Sequence, residues 1–265
     1  MTVEEKYNNL KKLLAEMQKV IVAFSGGVDS SLVLKIAHDM LGDQAIAITS
    51  VSPSMPKSEL NNAQIIAANI GAMQFLIEGH ELENLNYVQN PPDRCYFCKQ
   101  EVYTDIIDYS LHHGYRYVLD GTNADDKNDH RPGRKAALEQ GIRSPLLEVG
   151  LTKAEIRILA HQLGLSNWNK PSAACLSSRI PYGTSIDRSK LRQIEQAEEL
   201  LHQMGFSQVR VRCHDHIARI EIETSDFDKA LEKRVEITTR LRDIGFLYIT
   251  LDLNGFRSGS MNEVF

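Results

Sequence analysis

The chain has 265 residues, 42% hydrophobic and 25% charged, enough for a sizeable core in one large or two moderate domains. Its formal net charge is −5, and from Cys175 onward 13 Lys and Arg stand against 14 Asp and Glu, so no basic domain marks a nucleic-acid surface. No apolar run reaches bilayer length, no signal-peptide core opens the chain, and four Cys are too few for a disulfide scaffold; a cytoplasmic protein is expected, its thiols free, metal-bound or catalytic.

The first 18 residues read as a charged amphipathic helix. Residues 20–24 form an apolar run expected as a buried strand, and 30–41 a helix closed by Gly42. Residues 45–49, 74–77 and 117–120 read as further strands, separated by helices over 57–70 and 99–113. Strands alternating with helices predict an α/β fold with a doubly wound parallel sheet. A helix over 152–163 carries Thr152 as N-cap and Glu155 as the other half of a capping box. Near residue 185 the pattern changes. A helix over 187–204 leads to a hairpin, 208–213 with 218–222, then a helix over about 226–242 and a strand over 247–251. The stretches "QMGFSQVRVR" and "DIGFLYITLD" share a helix end, Gly-Phe and a strand, a weak repeat within a smaller α+β module. The expected division is 1–170 for the nucleotide domain, 171–186 for a cysteine-bearing linker and 187–265 for the C-terminal module.

The most specific stretch is "VIVAFSGGVDSS", residues 20–31. A strand running through Ser-Gly-Gly into a helix places backbone N–H groups around an anion, with the helix N-terminus adding a favourable field. The Lys of a Walker loop and the pattern G-x-G-x-x-G are both absent. A plain strand-to-helix turn capped by Asp29 and Ser30 is the alternative reading. The string S-G-G-V-D-S resembles the pyrophosphate loop of the ATP pyrophosphatase superfamily, enzymes that cut ATP between the α and β phosphates and adenylate a substrate. The resemblance implies that Ser25, Gly26, Gly27, Asp29, Ser30 and Ser31 hold pyrophosphate. Asp29 beside phosphates is repulsive unless Mg²⁺ or a donor intervenes.

"GTNADD", after the fourth strand, resembles the superfamily's second motif; Gly121 and Asp125 are expected beside the nucleotide, the loop carboxylates on Mg²⁺ and Arg131 on phosphate. Thr49, at the end of the second strand, is expected near the adenosine.

Cys95 and Cys98 form a C-x-x-C just before the helix expected from Lys99, and Cys175 lies in "KPSAACLSSRIPYG". A lone C-x-x-C fits a redox pair, half a zinc site or part of an iron–sulfur site. Three Cys fit a [4Fe–4S] cluster with one iron left open to hold an extra sulfide. Cys213 alternates with Val209 and Val211 and is expected in the core.

"NWNKPSAACLSSRIPYG", "DKNDHRPG", "VRVRCHDHIARIEI" and "YITLDLNGFRSGSMN" together resemble the sulfur transferases of nickel-pincer nucleotide cofactor biosynthesis, over nearly the whole chain. That resemblance implies adenylation of a carboxylate of a pyridinium nucleotide by ATP, then sulfur delivery to a thiocarboxylate. One branch of the family sacrifices a single linker Cys; the extra C-x-x-C here matches the branch in which Cys95, Cys98 and Cys175 carry a cluster. Arg210 and Arg212 share one strand face as a phosphate clamp, and Arg179 is expected on substrate or AMP. Glu198, Glu199, Asp226 and Asp228 are expected on solvated faces, although relatives carry an accessory metal there. A trimer or hexamer of this chain is implied, and the sulfur donor is left open. The rivals are a tRNA thiolation enzyme, an ammonia-using synthetase and a nucleotide-binding regulator.

Overall fold

A computed structural model describes residues 1–128, 132–171 and 174–257, with nothing stated for the side chains of 127 and 128. The chain forms two compact units, Met1–Asn84 with Asp93–Ala173, and Leu85–Pro92 with Ala174–Phe265.

In chain order the first unit holds α1 (Val3–Met17), β1 (Val20–Ala23), α2 (Val28–Leu41), β2 (Ala45–Val51), α3 (Lys57–Ile70) and β3 (Gln74–Glu78). The chain then forms the one-turn α4 (Leu85–Val88) of the second unit and returns with α5 (Arg94–His112), β4 (Tyr117–Leu119), α6 (Pro132–Glu139), α7 (Pro145–Glu148) and α8 (Lys153–Gln162). The sheet order is β3-β2-β1-β4, and every pairing is parallel. Side chains alternate across it. Val20, Val22, Ala45 and Ala47 pack with α1, α2, α3 and α8, whereas Ile21, Ile46 and Ile48 pack with Tyr103 and Ile106 of α5 and Ala136 of α6. Each large apolar side chain buried this way contributes about 1.5–3 kcal/mol. Both faces are therefore covered, which is the doubly wound arrangement.

From β1 the chain moves to β2 on one side; after β3 it returns to lay β4 on the other side of β1. The order reverses between β1 and β4, and ligands of open α/β sheets bind at the carboxyl ends of the strands at such a point.

The second unit continues with α9 (Arg188–Gln203), β5 (Val209–His214), β6 (Ile217–Ile222), α10 (Phe227–Glu232), α11 (Arg234–Asp243) and β7 (Tyr248–Leu251). β5 and β6 are antiparallel, β6 and β7 parallel. The repeat seen in the sequence is structural. Gly205 and Gly245 take φ of 90° and 114°, and the following Phe206 and Phe246 are buried and donate their N–H groups to Leu201 and Leu241. The helix expected over 226–242 is two helices broken at Lys233. Ile237 and Leu241 of α11 are buried, whereas α10 has no buried residue, so the two segments do not share one continuous buried face. Among the described residues no helix is long and apolar enough to cross a membrane.

Candidate active site

The turn from β1 into α2 is built as an anion cradle. Gly26 adopts φ +71°, and a Cβ there would lie 2.8 Å from Ala63 Cα, so only glycine fits between this turn and α3. Gly27 is the N-cap of α2 and offers no side-chain cap, which leaves the first N–H groups of the helix to other acceptors. The serines divide by direction. Ser25 is exposed, whereas Ser30 is buried and donates to Gly27 O at 3.1 Å. Ser31 is fully buried and accepts from Asn167 Nδ2 at 2.9 Å. Asn167 also donates to Gly26 O at 2.9 Å, so one buried amide fixes the loop from behind. Of the three hydroxyls, that of Ser25 is the one presented outward.

The loop after β4 meets this turn closely. A Cβ on Gly121 would lie 2.7 Å from Ser30 N, so Gly121 is required by packing against the start of α2. Asp120 is buried and accepts from Thr122 N–H, Thr122 Oγ1, Ser144 Oγ and Tyr103 Oη, and Asp126 accepts from Asn123 N–H. Asp125 is exposed and accepts the Lys153 N–H at 2.8 Å, while Lys153 Nζ lies 2.5 Å from Asp29 Oδ2. Arg131 lies outside the described residues. Thr49 is buried, donates to Phe24 O at 2.7 Å and accepts from Gln74 at 2.8 Å; its hydroxyl serves the sheet.

Cys95 and Cys98 do not precede their helix, as the sequence suggested; they lie in its opening residues, because α5 begins at Arg94. Cys, Tyr and Phe are modest helix formers and masked the start. The i, i+3 spacing puts both sulfurs on one face. Cys95 is exposed and Cys98 half-buried. Lys99 has its pKa raised, chiefly by Tyr103, against desolvation, with Cys98, Asp120 and Cys95 adding.

In the second unit Cys175 has an exposed thiol on a pinned backbone. Its carbonyl accepts from Ser178 N–H, Ser178 Oγ and Arg179 Nη1. Arg179 is not placed as the expected substrate contact. It is 3% exposed, pairs bidentately with Glu198 at 2.9 Å and also donates to Ala174 O. Glu198 is correspondingly not on a solvated face; it is buried and takes the Val211 N–H as well. Glu199 and Asp228 are exposed and Asp226 half-buried. The segment carrying α4 supports the same turn: Tyr87 Oη lies 2.6 Å from Ser177 Oγ, and buried Asn90 donates to Ile180, Pro181 and Thr184 carbonyls.

Arg210 and Arg212 do share a strand face, in different roles. Arg212 is buried, bidentate to Glu221 and bonded to Ser178 O. Arg210 stacks on Phe256 with 5.2 Å to the ring centroid, and its pKa is pushed down to about 10, first by burial and then by Arg179, with Arg212 adding. A place that penalises one more cation favours an anion. Cys213 is buried as expected, its thiol pushed up to about 11 by burial.

Among the described residues no group of three or more His, Cys, Asp or Glu gathers as a metal site. Sequence reasoning missed Lys153, Asn167 and Glu221. Lys153 directly follows the recognised Thr152 cap, Asn167 opens the quoted "NWNK" motif, and Glu221 lies in the quoted "VRVRCHDHIARIEI", two strand positions from Arg219.

The NAD synthase family matches residues 2–89. The chain is 45% identical, over 99% of its length and 98% of the relative, to an uncharacterized protein of Synechocystis sp.. It is 41% identical, over 99% and 95%, to pyridinium-3,5-bisthiocarboxylic acid mononucleotide synthase of Lactiplantibacillus plantarum, and 31% identical, over 95% of each chain, to an uncharacterized protein of Methanocaldococcus jannaschii. With its phosphate loop at the sheet's switch point and likeness over its full length, the chain is an ATP-dependent enzyme of the ATP pyrophosphatase class and belongs to the family of the pyridinium-3,5-bisthiocarboxylic acid mononucleotide synthase.

Proposed function

We propose that the protein is an ATP-dependent sulfur transferase acting on pyridinium-3,5-biscarboxylic acid mononucleotide, working in the cytoplasm as a homo-oligomer. The observation that carries this reading is the N-terminus of α2, uncapped by any side chain and fixed from behind by Asn167, in a chain 41% identical to a synthase of the bisthiocarboxylic product.

A carboxylate resists attack because it is anionic and lacks a leaving group. Its oxygen attacks the α-phosphorus of ATP; the P–O bond to the β-phosphate breaks, and pyrophosphate leaves with that electron pair. The N–H groups of the Gly26–Gly27 turn and of the first turn of α2 receive the leaving pyrophosphate, the Gly27 N–H turning to it from Ser25 Oγ, which it meets at 3.4 Å. A sulfur nucleophile then forms a C–S bond to the acyl carbon, and AMP departs with the C–O pair, leaving a thiocarboxylate. Arg210 meets the nucleotide phosphate of the substrate, while Arg212 and Arg179 keep the supporting frame rigid through Glu221 and Glu198.

Exposed Asp125 and half-buried Asp29 are hard oxygen donors suited to Mg²⁺, which when bound would offset phosphate charge. Two thiols one helical turn apart and an exposed thiol at Cys175 are soft donors suited to three corners of a [4Fe–4S] cluster, which when bound would supply sulfide from its open iron. The exposed Cys175 thiol on its fixed turn also favours a second reading, in which this sulfur is itself given up and dehydroalanine remains.

Protein purified without oxygen decides between them. Iron and acid-labile sulfide on the protein, with pyrophosphate release dependent on the pyridinium nucleotide and no change in chain mass, meet the first reading. A chain lighter by one sulfur and two hydrogens after turnover selects the second. Pyrophosphate release driven by tRNA instead would overturn both.

A further inference from the structure

We propose that Arg219 binds the second ring carboxylate of the pyridinium nucleotide, the one not being adenylated, and so selects this substrate over a nucleotide with a neutral amide in that place. The proposal rests on the substrate reading above and adds a specificity residue to it. Adenylation removes the charge of one carboxylate. The other stays anionic, and a group that holds it fixes which way round the ring lies.

The polar face of the β5–β6–β7 sheet carries an imbalance of charge. Strand register sets Arg210 opposite Glu221 and Arg212 directly opposite Arg219. Like charges so placed repel, and the pair persists only against counter-charge. Among the described residues that counter-charge is incomplete. Arg212 holds both oxygens of Glu221, at 2.9 and 2.7 Å, and Arg219 Nη2 reaches only Oε1, at 3.1 Å. Arg219 Nε is buried and makes no hydrogen bond; Asp252 Oδ2 lies 3.7 Å from it, beyond bonding range. Three guanidiniums, Arg210, Arg212 and Arg219, thus face two carboxylates, Glu221 and Asp252. The Arg219 side chain keeps 34% exposure, and its register partner on β7, Thr250, is exposed, so a ligand can reach the guanidinium. His214, next in the row after Arg210 and Arg212, is half-buried, and its Nε2 also lacks a bond among the described residues. Burial, then Arg219 and Arg212, hold its pKa below the ordinary imidazole value. A place that resists another cation favours an anion, here as at Arg210. Arg219 stands level with Arg212, one strand repeat of about 7 Å from Arg210. A ligand with a phosphate at one end and a ring carboxylate at the other can engage both centres, and a planar guanidinium suits a carboxylate.

The test is calorimetric titration of the full chain with two probes, nicotinic acid mononucleotide, which has one ring carboxylate, and nicotinamide mononucleotide, which has an amide in its place. The native chain is expected to prefer the acid by about 10- to 100-fold. Arg219→Gln keeps an amide donor for Glu221 and is expected to bring that preference below about threefold while the amide probe binds as before; Arg219→Lys restores part of it. Asp252→Asn removes the competing carboxylate and is expected to raise the preference, which keeps the test open should Arg219→Gln fail to fold. The readout is a ratio of affinities, and a loss of folded protein does not move it. An unchanged ratio in Arg219→Gln, an equal loss for both probes, or a native chain that binds both equally overturns the role of Arg219. A native chain that binds neither probe overturns the pyridinium-nucleotide reading itself.

Discussion

The phosphate loop and the Cys175 turn both present a small group outward on a backbone held from behind, and they differ in what holds them. Behind the loop stand neutral bonds, from Asn167 to Gly26 O and Ser31 and from Ser30 to Gly27 O. Behind the turn stands a buried ion pair, Arg179 with Glu198, whose guanidinium also grips the carbonyls of Ala174 and Cys175. Neutral hydrogen bonds each contribute about 0.5–1.5 kcal/mol net and fail one at a time. A buried pair fails as a unit, because losing one partner strands the other charge away from water. The loop is therefore graded in its response to mutation and the turn is not.

The sharpest way to break this contrast is at Glu198. Glu198→Ala strands Arg179 and is expected to destabilise the protein by about 3–5 kcal/mol. The joint replacement Arg179→Met with Glu198→Leu is expected to recover most of that stability in urea titrations and still release the Cys175 turn. The released turn reads out as faster alkylation of Cys175. Recovery of stability with an unchanged alkylation rate would show that the turn is held by something other than the pair.

The loop's own limit is Gly26. Gly26→Ala puts a non-glycine residue at φ +71° and a methyl group 2.8 Å from the α3 backbone. Strain of that kind costs about 1–3 kcal/mol, with a packing clash on top, and ATP affinity is expected to fall more than the thermal midpoint does. Asn167→Ala comes next. It removes two donors and leaves Gly26 O buried, at an expected cost of about 1–3 kcal/mol, seen in thermal denaturation, with weaker ATP binding because the loop is no longer fixed.

The sheet was legible because its strands are short apolar runs between clear turns, and the loop because few other sequences place Ser-Gly-Gly between such a run and a helix. What stayed hidden was the support behind each site. Glu198 sits in a helix of strongly polar sequence and reads as solvated; its burial is decided by Arg179, 19 positions away. Asn167 acts 141 positions from Gly26, and no local periodicity records such a partner. The α4 segment belongs to the second unit although it lies in the middle of the first unit's sequence, and a single helical turn carries no period to find. Arg179 was read as facing a ligand because Arg near a reactive Cys has that chemistry, yet its donors are taken up by the protein.

The smallest effect separates charge from shape at the base of α8. Glu155 has its pKa lowered: partial burial works against this, but the bonds from Lys6 and Thr152 outweigh it. A carboxyl lowered in the folded state stabilises above its ordinary value of 4.5, and that contribution is lost as the pH falls through the folded value. The thermal midpoint of the native chain should therefore exceed that of Glu155→Gln near neutral pH, by the equivalent of at most about 1 kcal/mol, and the gap should close as the pH falls below the ordinary carboxylate range. Asn167→Ala, which removes only neutral bonds, should show a gap independent of pH over the same window. Were the Glu155→Gln gap equally flat, the start of α8 would be held by the shape of its capping box and not by its charge, and the fixed base from which Lys153 reaches Asp29 would be as neutral as the phosphate loop's own support.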